Sequence, residues 1–453
     1  MAPAAPKTGS INVFARWRGP AQSDDAAGKI DRTTTSSDTS SLESTTISQR
    51  EMDNINQSWT SPPAFKSIFN PEDDNRAVYD TVVAPAIPRV LQGATCNFFA
   101  YGHSGSGKTH TIIGYDYDDE TQLGLCLGAA RQLFEELQNL NEQNAAGEKL
   151  GIGFSLFELR KKSAFDLLNG RTECHIREGP DGKVHVRGET EMLDGGKVRV
   201  QPIVKKPCWT YESLRQELTQ ALGNRAVGSS SVHDQSSRTH AILELEIICQ
   251  SLVDARLAVI DRQSELVPVG KRATDVSIEE QSKGYIALPG GGWGPNPDYT
   301  IDQERIDAAE AEKAEYETRV ASAEAAVDNI LKSSTSPCLG AKMVFVDLAG
   351  AEYHQEKGGL QLQTPRQTPQ ERQEGRQINS DLLALKEVMR AWSQQQARIP
   401  FRSSALTMVL REHFLSSERG SSTMIVTVSP VDEQYAATIN SLKYGSLVGF
   451  AGA

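Results

Sequence analysis

The sequence predicts an α/β fold, in which a central sheet carries helices on both faces. Residues 95–101 and 342–346 have the apolar character of buried strands, and residues 11–18 alternate as a first strand does. Stretches with apolar residues at helical spacing lie between them. Because buried strands that alternate with amphipathic helices are typical of α/β proteins, this order predicts the class.

The other elements follow from periodicity and turn residues. We predict helices at 75–92, 123–140 and 211–222, strands at 151–159 and 241–249, and hairpins within 174–200. Residues 20–50 are rich in Ser and Thr, which predicts a flexible surface insertion. Length alone would suggest about three domains. The spacing of the motifs favours one large domain over residues 1–453 with two insertions.

The second predicted insertion spans residues 250–340. Residues 251–340 hold sixteen acidic and nine basic side chains, and they contain a Gly/Pro-rich patch. A long helix is predicted at 300–331, where Thr300 and Gln303 match a capping box. Its apolar residues have heptad spacing, at Tyr316, Val320, Ala323, Val327 and Ile330. Two alternatives remain: the helix packs on its own domain, or it contacts a partner or a second copy.

Composition limits the class of protein and its partners. The net charge of −12 argues against a protein that coats nucleic acid. No apolar stretch is long enough to span a bilayer, and the first ten residues lack the apolar region of a signal peptide, so we expect no membrane partner. The six cysteines have no paired metal-ligand spacing, which favours free thiols in the reducing cytoplasm.

A glycine-rich run follows the strand predicted at 95–101. It fits G-x-x-x-x-G-K-[ST], with the residues Gly102, His103, Ser104, Gly105, Ser106, Gly107, Lys108 and Thr109. Its glycines let the backbone fold around an anion and direct N–H groups at phosphate oxygens. We expect Lys108 to reach the outer phosphates and Thr109 to offer its hydroxyl to Mg²⁺. The run therefore predicts a nucleotide hydrolase of the P-loop NTPase class.

Two later segments carry residues that can sense a terminal phosphate. Ser236, Ser237 and Arg238 lie in a polar loop just before the strand predicted at 241–249. Asp347 ends the strand at 342–346 and can hold Mg²⁺ through water, while Gly350 can offer a backbone N–H to the γ-phosphate. Each segment alone would also suit an ordinary loop or strand end.

In this order, the three segments resemble those of the kinesin motor domain, which reads G-Q-T-G-S-G-K-T-H-T, S-S-R-S-H and D-L-A-G-S-E. Residues 378–385 resemble the switch helix of that family, and residues 399–407 resemble the loop and helix at its filament face. The similarity runs from residue 11 to residue 448 outside the insertions. It implies a central mixed sheet with helices on both faces, ATP as substrate, Mg²⁺ as cofactor and microtubules of the cytoskeleton as partner.

The resemblance implies roles for single residues around the nucleotide. Lys108 and its loop would bind the β and γ phosphates, Thr109 and Ser237 would bind Mg²⁺, and Asp347 would act through a water. The adenine would be bordered by Arg16, Arg18, Pro20 and His110. Where the family has the motif R-x-R-P, this chain has Gly19 inserted between Arg18 and Pro20, which makes the adenine contacts less secure.

The resemblance also implies a switch mechanism. Ser236 would help to place the attacking water, and Arg238 and Glu352 would form the ion pair that closes both switches over the γ-phosphate. His233 stands where the family often has Asn, and Asp381 replaces a usual Ser. Since neither departure removes a metal or phosphate ligand, the resemblance predicts an active ATPase.

A basic stretch is the predicted microtubule-binding face. Residues 376–411 hold six basic and two acidic side chains, although the whole chain is acidic. The candidates for contact with the acidic tubulin surface are Lys386, Arg390, Arg398, Arg402 and Arg411. Without the family pattern, an ordinary solvated basic face would explain these residues equally well.

Two rival functions remain at this point. The first is a kinesin-like module that binds microtubules or another protein without productive movement, because the chain ends at Ala453, soon after its last predicted helix. The second is a GTPase of the same fold logic. The sequence has no N-K-x-D motif for reading guanine, which disfavours the second.

Overall fold

The computed structural model describes residues 10–19, 30–36, 41–51, 54–143, 147–179, 182–226, 238–287, 291–351, 369–415 and 420–451. The chain divides into two compact units. The first comprises Met1–Val186, Ile203–Ile247 and Pro337–Ala453, and the second comprises Arg187–Pro202 and Ile248–Ser336.

Within the described residues, the strands β1 to β17 are, in chain order, Ser10–Trp17, Asp31–Ser36, Glu43–Glu51, Asn54–Thr60, Ile68–Phe69, Cys96–Tyr101, Leu150–Arg160, Ser163–Asp166, Thr172–Glu178, Val184–Met192, Val198–Pro202, Lys206–Cys208, His240–Cys249, Tyr285–Ala287, Trp293–Pro295, Lys342–Asp347 and Ser421–Val428. The α-helices α1 to α10 are Asn75–Val82, Ile87–Leu91, Lys108–Ile112, Leu125–Gln143, Tyr211–Ala226, Gln250–Lys283, Gln303–Ser333, Pro369–Ser393, Ala405–Leu415 and Tyr435–Ala451.

The first unit is built on a mixed sheet. Its strands lie in the order β9-β8-β7-β13-β16-β6-β17-β1-β5, and β12 also pairs with β7. The strands from β16 to β5 are parallel neighbours, whereas β13 is antiparallel to β16. The predicted α/β fold with a central mixed sheet is confirmed. The parallel part carries the glycine-rich run, which leaves β6 at its carboxyl end.

Helices cover both faces of this sheet because successive residues of its buried strands point to opposite sides. On one face, the rings of Phe99 and Phe414 stack at 5.6 Å and those of Tyr101 and Tyr444 stack at 3.9 Å, which joins β6 to α9 and α10. On the other face, the ring of Phe98 stacks on a neighbouring strand, and α3, α4 and α5 contact β6, β7 and β16.

Two predictions in the first unit differ from the structure. The helix expected at 75–92 is interrupted after Val82 by a 3-10 turn, because prolines at 85 and 88 lack the N–H that a continuous helix needs. The stretch expected to be a flexible loop at 20–50 holds, at its described residues, β2 and β3 of a three-stranded sheet with β4. Ile47 is fully buried there, and cross-strand pairs such as Thr46 and Thr60 suit an exposed sheet.

The second unit contains a long helical hairpin. Arg305 near the start of α7 pairs with Glu280 near the end of α6. Further along α7, Glu312 pairs with Arg272, which comes earlier in α6, so the two helices are antiparallel. The helix expected at 300–331 is present, but it starts at Gln303 because Asp302, not Thr300, caps it by accepting from the Arg305 N–H at 2.9 Å. Sequence reasoning missed α6, which has a weak apolar periodicity and an internal proline.

The heptad residues of α7 are all half-buried, and α6 packs against that helix. This packing favours the alternative in which the helix packs within its own unit. Among the described residues, no helix combines the length and the apolar composition that crossing a membrane requires.

Candidate nucleotide-binding site

The glycine-rich run forms a turn between β6 and α3. Gly107 precedes α3 with a φ of 97°, a left-handed conformation that side chains other than glycine adopt only with strain. The Ser106 hydroxyl is buried and lies 2.8 Å from the hydroxyl of Thr427 on β17. The loop is therefore held by its own backbone and by a neighbouring parallel strand.

The Lys108 side chain folds back into this loop. Its Nζ donates to the carbonyl oxygens of Gly102 at 3.1 Å and His103 at 2.8 Å. Burial of the ammonium lowers the pKa of Lys108 to about 8, and the nearby Asp347 carboxylate partly opposes that shift. A buried cation on neutral carbonyls, with one carboxylate nearby, is an environment that an added phosphate would stabilise.

The carboxyl end of β16 lies directly against the loop. The Thr109 hydroxyl donates to Asp347 Oδ2 at 2.7 Å, and the Ala351 N–H donates to the Gly102 carbonyl at 3.1 Å. A Cβ at Gly350 would lie only 2.8 Å from the backbone nitrogen of Ser104, so glycine is required for this approach. The structure thus brings together two of the three sequence segments, the glycine-rich run and the segment that begins at Asp347.

Thr109 and Asp347 suit a magnesium ion. Their side chains provide a hydroxyl and a carboxylate, which are hard oxygen donors, 2.7 Å apart at the base of the loop. Both would leave open positions for water and phosphate oxygens, as Mg²⁺ sites in nucleotide-binding proteins require. The described residues therefore fit this cofactor.

Arg16 and Arg18, both expected near adenine, lie in different surroundings. Arg16 is buried, and its guanidinium donates to Asn75 Oδ1 at 2.6 Å and to Thr111 Oγ1 at 2.8 Å. Burial lowers its pKa to about 10. Its described contacts hold α1 against α3. Arg18 instead lies beside the loop, since its Cβ would be 3.3 Å from a Cβ at Gly107.

His110 lies in α3, directly after the glycine-rich loop, and its ring is half-buried. Its Nε2 lies 3.3 Å from Gln122 Oε1, its ring centroid lies 5.6 Å from that of the exposed Tyr115, and burial lowers its pKa. Asn75 stabilises this part of α3 by donating from its side-chain amide to the His110 carbonyl at 2.9 Å. Sequence reasoning missed Asn75 and Tyr115, because neither belongs to a motif.

Of the predicted switch ion pair, Arg238 lies among the described residues. Arg238 lies two residues before β13, and its Nη1 is 3.9 Å from Oε2 of the buried Glu374 on α8. Arg160 donates to the other oxygen of Glu374 at 2.7 Å. The predicted residues Pro20, Ser236, Ser237 and Glu352 lie outside the described residues, so their roles stay predictions.

The predicted filament-binding residues differ in their contacts. Arg398 is exposed, Arg390 pairs with Glu387 one turn earlier at 2.6 Å, and Lys386 Nζ lies 5.8 Å from the Tyr444 ring centroid. The two others share one carboxylate. Glu178 on β9 accepts a bidentate pair from Arg402 at 2.9 and 2.6 Å, and Arg411 lies 3.5 Å from the same group.

Comparison with known families finds one match over most of the chain. The family described as "Kinesin motor domain" matches residues 16–267 and 321–449. The unmatched residues 268–320 fall within α6, the following hairpin and the first half of α7.

Curated relatives carry kinesin names. "Kinesin-like protein KIN-13A" from Oryza sativa subsp. japonica is 29% identical over 386 residues, which cover 85% of this chain and 34% of that protein. "Kinesin-like protein KIF24" from Mus musculus is 25% identical, over 85% of this chain and 20% of that protein. The chain thus spans about a third or less of the length of these two relatives.

Solved structures share the fold. A structure from a study of mutants and "a signalling pathway for activation of the kinesin motor ATPase" is 18% identical, with a TM-score of 0.59 over 97% of this chain and 100% of that one. The motor domain of the Kar3-like kinesin from Ashbya gossypii is also 18% identical, with a TM-score of 0.57 over 97% of this chain and 99% of that one.

Proposed function

Because the chain belongs to the kinesin motor domain family, we propose that it hydrolyses ATP with Mg²⁺ and couples this reaction to the binding of microtubules. One observation carries the proposal. The loop that bears Lys108 is in direct contact with the segment that begins at Asp347, through the 2.7 Å bond from Thr109. A phosphate bound by the first segment would therefore change the contacts of the second.

The residues of this chain would mainly position and stabilise charge, which is what phosphoryl transfer requires. The loop N–H groups and the Lys108 ammonium would bind the β and γ phosphates. Thr109, Ser237 and, through water, Asp347 would hold Mg²⁺, which when bound neutralises charge on the phosphate oxygens. Gly350 would offer its N–H to the γ-phosphate.

The switch residues would respond to that phosphate. Ser236 would help to place the attacking water, and Arg238 and Glu352 would close the two switch segments over the γ-phosphate. Arg18 and His110 would border the adenine. Loss of the γ-phosphate would release these contacts, and α8 would transmit the change to the basic face from Lys386 to Arg411.

The test is steady-state turnover of ATP by the purified chain, with and without Mg²⁺ and with and without microtubules. We expect Mg²⁺-dependent hydrolysis that microtubules accelerate, and weak competition by GTP. Absence of hydrolysis under all conditions would reject the enzymatic proposal. Microtubule binding without hydrolysis would establish the rival binding module instead.

If the proposal holds, the protein acts on the microtubule cytoskeleton of the cytoplasm. Direction of movement, or remodelling of filaments in place of movement, would be read from gliding of labelled microtubules over the immobilised chain.

A further inference from the structure

A buried histidine and a buried carboxylate face each other between β13 and α8. His240 begins β13 and Asp381 lies in the middle of α8, and both are 3% exposed. His240 Nε2 lies 4.0 Å from Asp381 Oδ2.

The hydrogen bond on the other side of the imidazole determines which nitrogen carries the proton. The Ala349 N–H donates to His240 Nδ1 at 3.1 Å, so Nδ1 is the acceptor. Burial and the Lys108 ammonium lower the pKa of His240 to about 3, which keeps the ring neutral. The ring proton is therefore on Nε2, the atom that faces Asp381.

The gap between these two atoms is slightly too wide for a hydrogen bond. An N–H···O bond spans about 2.7–3.2 Å, so a closing movement of about 1 Å would form one. His240 Nε2 has no hydrogen-bond partner among the described residues. A buried donor without a partner is costly, which favours closure whenever α8 can approach β13.

Asp381 lies on the helix that carries part of the predicted filament face. Gln377, one turn earlier on α8, donates to Asp381 Oδ1 at 3.0 Å, so the carboxylate moves with the helix. Lys386 and Arg390, two of the residues predicted to contact the filament, lie further along the same helix.

We propose that Asp381 is a positioning residue that couples α8, the helix that carries Lys386 and Arg390, to the phosphate-side segment at Ala349 through His240. The inference rests on the proposed function. Ser104 contacts Gly350 and Ala349 contacts His240, and a gap of 4.0 Å then separates His240 from Asp381 on α8. A helix shift of about 1–2 Å, as is common at such interfaces, is enough to open or close it.

Three variants of the full chain test the proposal. Asp381→Ser shortens the side chain and removes the acceptor near His240, whereas Asp381→Asn keeps the length and one acceptor oxygen. Ser380→Ala, at an exposed neighbour on α8, is the control. If Asp381→Ser does not fold, Asp381→Thr replaces it. Thermal melting establishes that each variant is folded.

The first readout is the ratio of microtubule-stimulated to basal ATP turnover. We expect Asp381→Ser to lower this ratio about fivefold or more through the stimulated rate, while Asp381→Asn and Ser380→Ala stay within about twofold of wild type. An unchanged ratio in the folded Asp381→Ser variant would overturn the proposal.

The second readout needs neither microtubules nor turnover, so it separates this inference from the proposed function. Hydrogen exchange of peptides that contain Ala349 is measured in wild type and in each variant. We expect about fivefold faster exchange in Asp381→Ser, because the closed state in which Asp381 accepts from His240 Nε2 would no longer form, and near-wild-type exchange in Asp381→Asn. Unchanged exchange in Asp381→Ser would overturn the coupling even if wild type is a stimulated ATPase.

Discussion

The glycine-rich loop at Lys108 and the basic face from Lys386 to Arg411 hold their charges in different ways. In the loop, the Lys108 ammonium is buried, and backbone carbonyls bind it at 2.8 and 3.1 Å. On the basic face, the Arg402 side chain is 76% exposed, and a neighbouring carboxylate already binds it. Buried charges interact strongly with a ligand, whereas exposed charges are weakened by water and salt. The two regions should therefore differ in how much one substitution matters.

The largest expected effect is at Lys108. Lys108→Ala removes the cation that would bind the outer phosphates, and charge-assisted hydrogen bonds contribute about 1.5–3 kcal/mol each. We expect ATP affinity, measured by isothermal titration calorimetry with Mg²⁺, to fall at least about 100-fold. Lys332→Ala, at an exposed lysine of α7, is the control. Similar affinities in both variants would place the phosphates elsewhere.

The same lysine predicts a pH dependence. With a pKa of about 8 in the free protein, Lys108 is mostly charged at pH 7 and mostly neutral at pH 9. Bound phosphate favours the charged form, so the affinity for ATP should fall as pH rises through 8, by about tenfold between pH 7 and pH 9. Lys108→Arg keeps its charge over this range and should abolish the fall. An equal fall in that variant would assign the dependence to another group.

The turn between β6 and α3 could be predicted from the sequence, because its backbone conformation depends on glycine. The positive φ of Gly107 and the close approach of Gly350 to Ser104 require glycine, and glycine is visible in a sequence. The strands on either side were predicted for a related reason, since burial on both faces demands continuous apolar runs.

Side-chain partners could not be predicted in the same way. Glu178 lies more than 200 positions from Arg402, and no local pattern indicates that these residues pair. Similarly, Glu374 approaches Arg238, and Asp381 approaches His240, only because the fold brings α8 close to the start of β13. The strands β2 and β3 were missed because polarity was taken to indicate a loop, although threonine also suits exposed strands.

A smaller effect is expected on the basic face. The double variant Lys386→Glu and Arg390→Glu reverses two charges on α8, and we expect about tenfold weaker co-sedimentation with microtubules at low salt. The difference should shrink as salt screens the charges. The matched control reverses Lys313 and Lys332 on α7. Equal affinity of wild type and the α8 variant at low salt would refute this surface.

The smallest expected effect tests the pairing that the structure revealed. Glu178→Gln removes the carboxylate that binds Arg402 and Arg411, which leaves two more charges for tubulin. Since exposed ion pairs contribute little, we expect microtubule affinity to rise only about twofold to fivefold at low salt. Weaker binding of Glu178→Gln would mean that Glu178 orders this surface for its partner.

The most direct test of the account is the affinity for microtubules in two nucleotide states. Co-sedimentation of the wild-type chain is measured with ADP and with a non-hydrolysable ATP analogue, each saturating and with Mg²⁺. If the loop at Lys108 and the basic face are coupled, the two affinities should differ about fivefold or more. Equal affinities, with both nucleotides shown to be bound, would contradict the coupling.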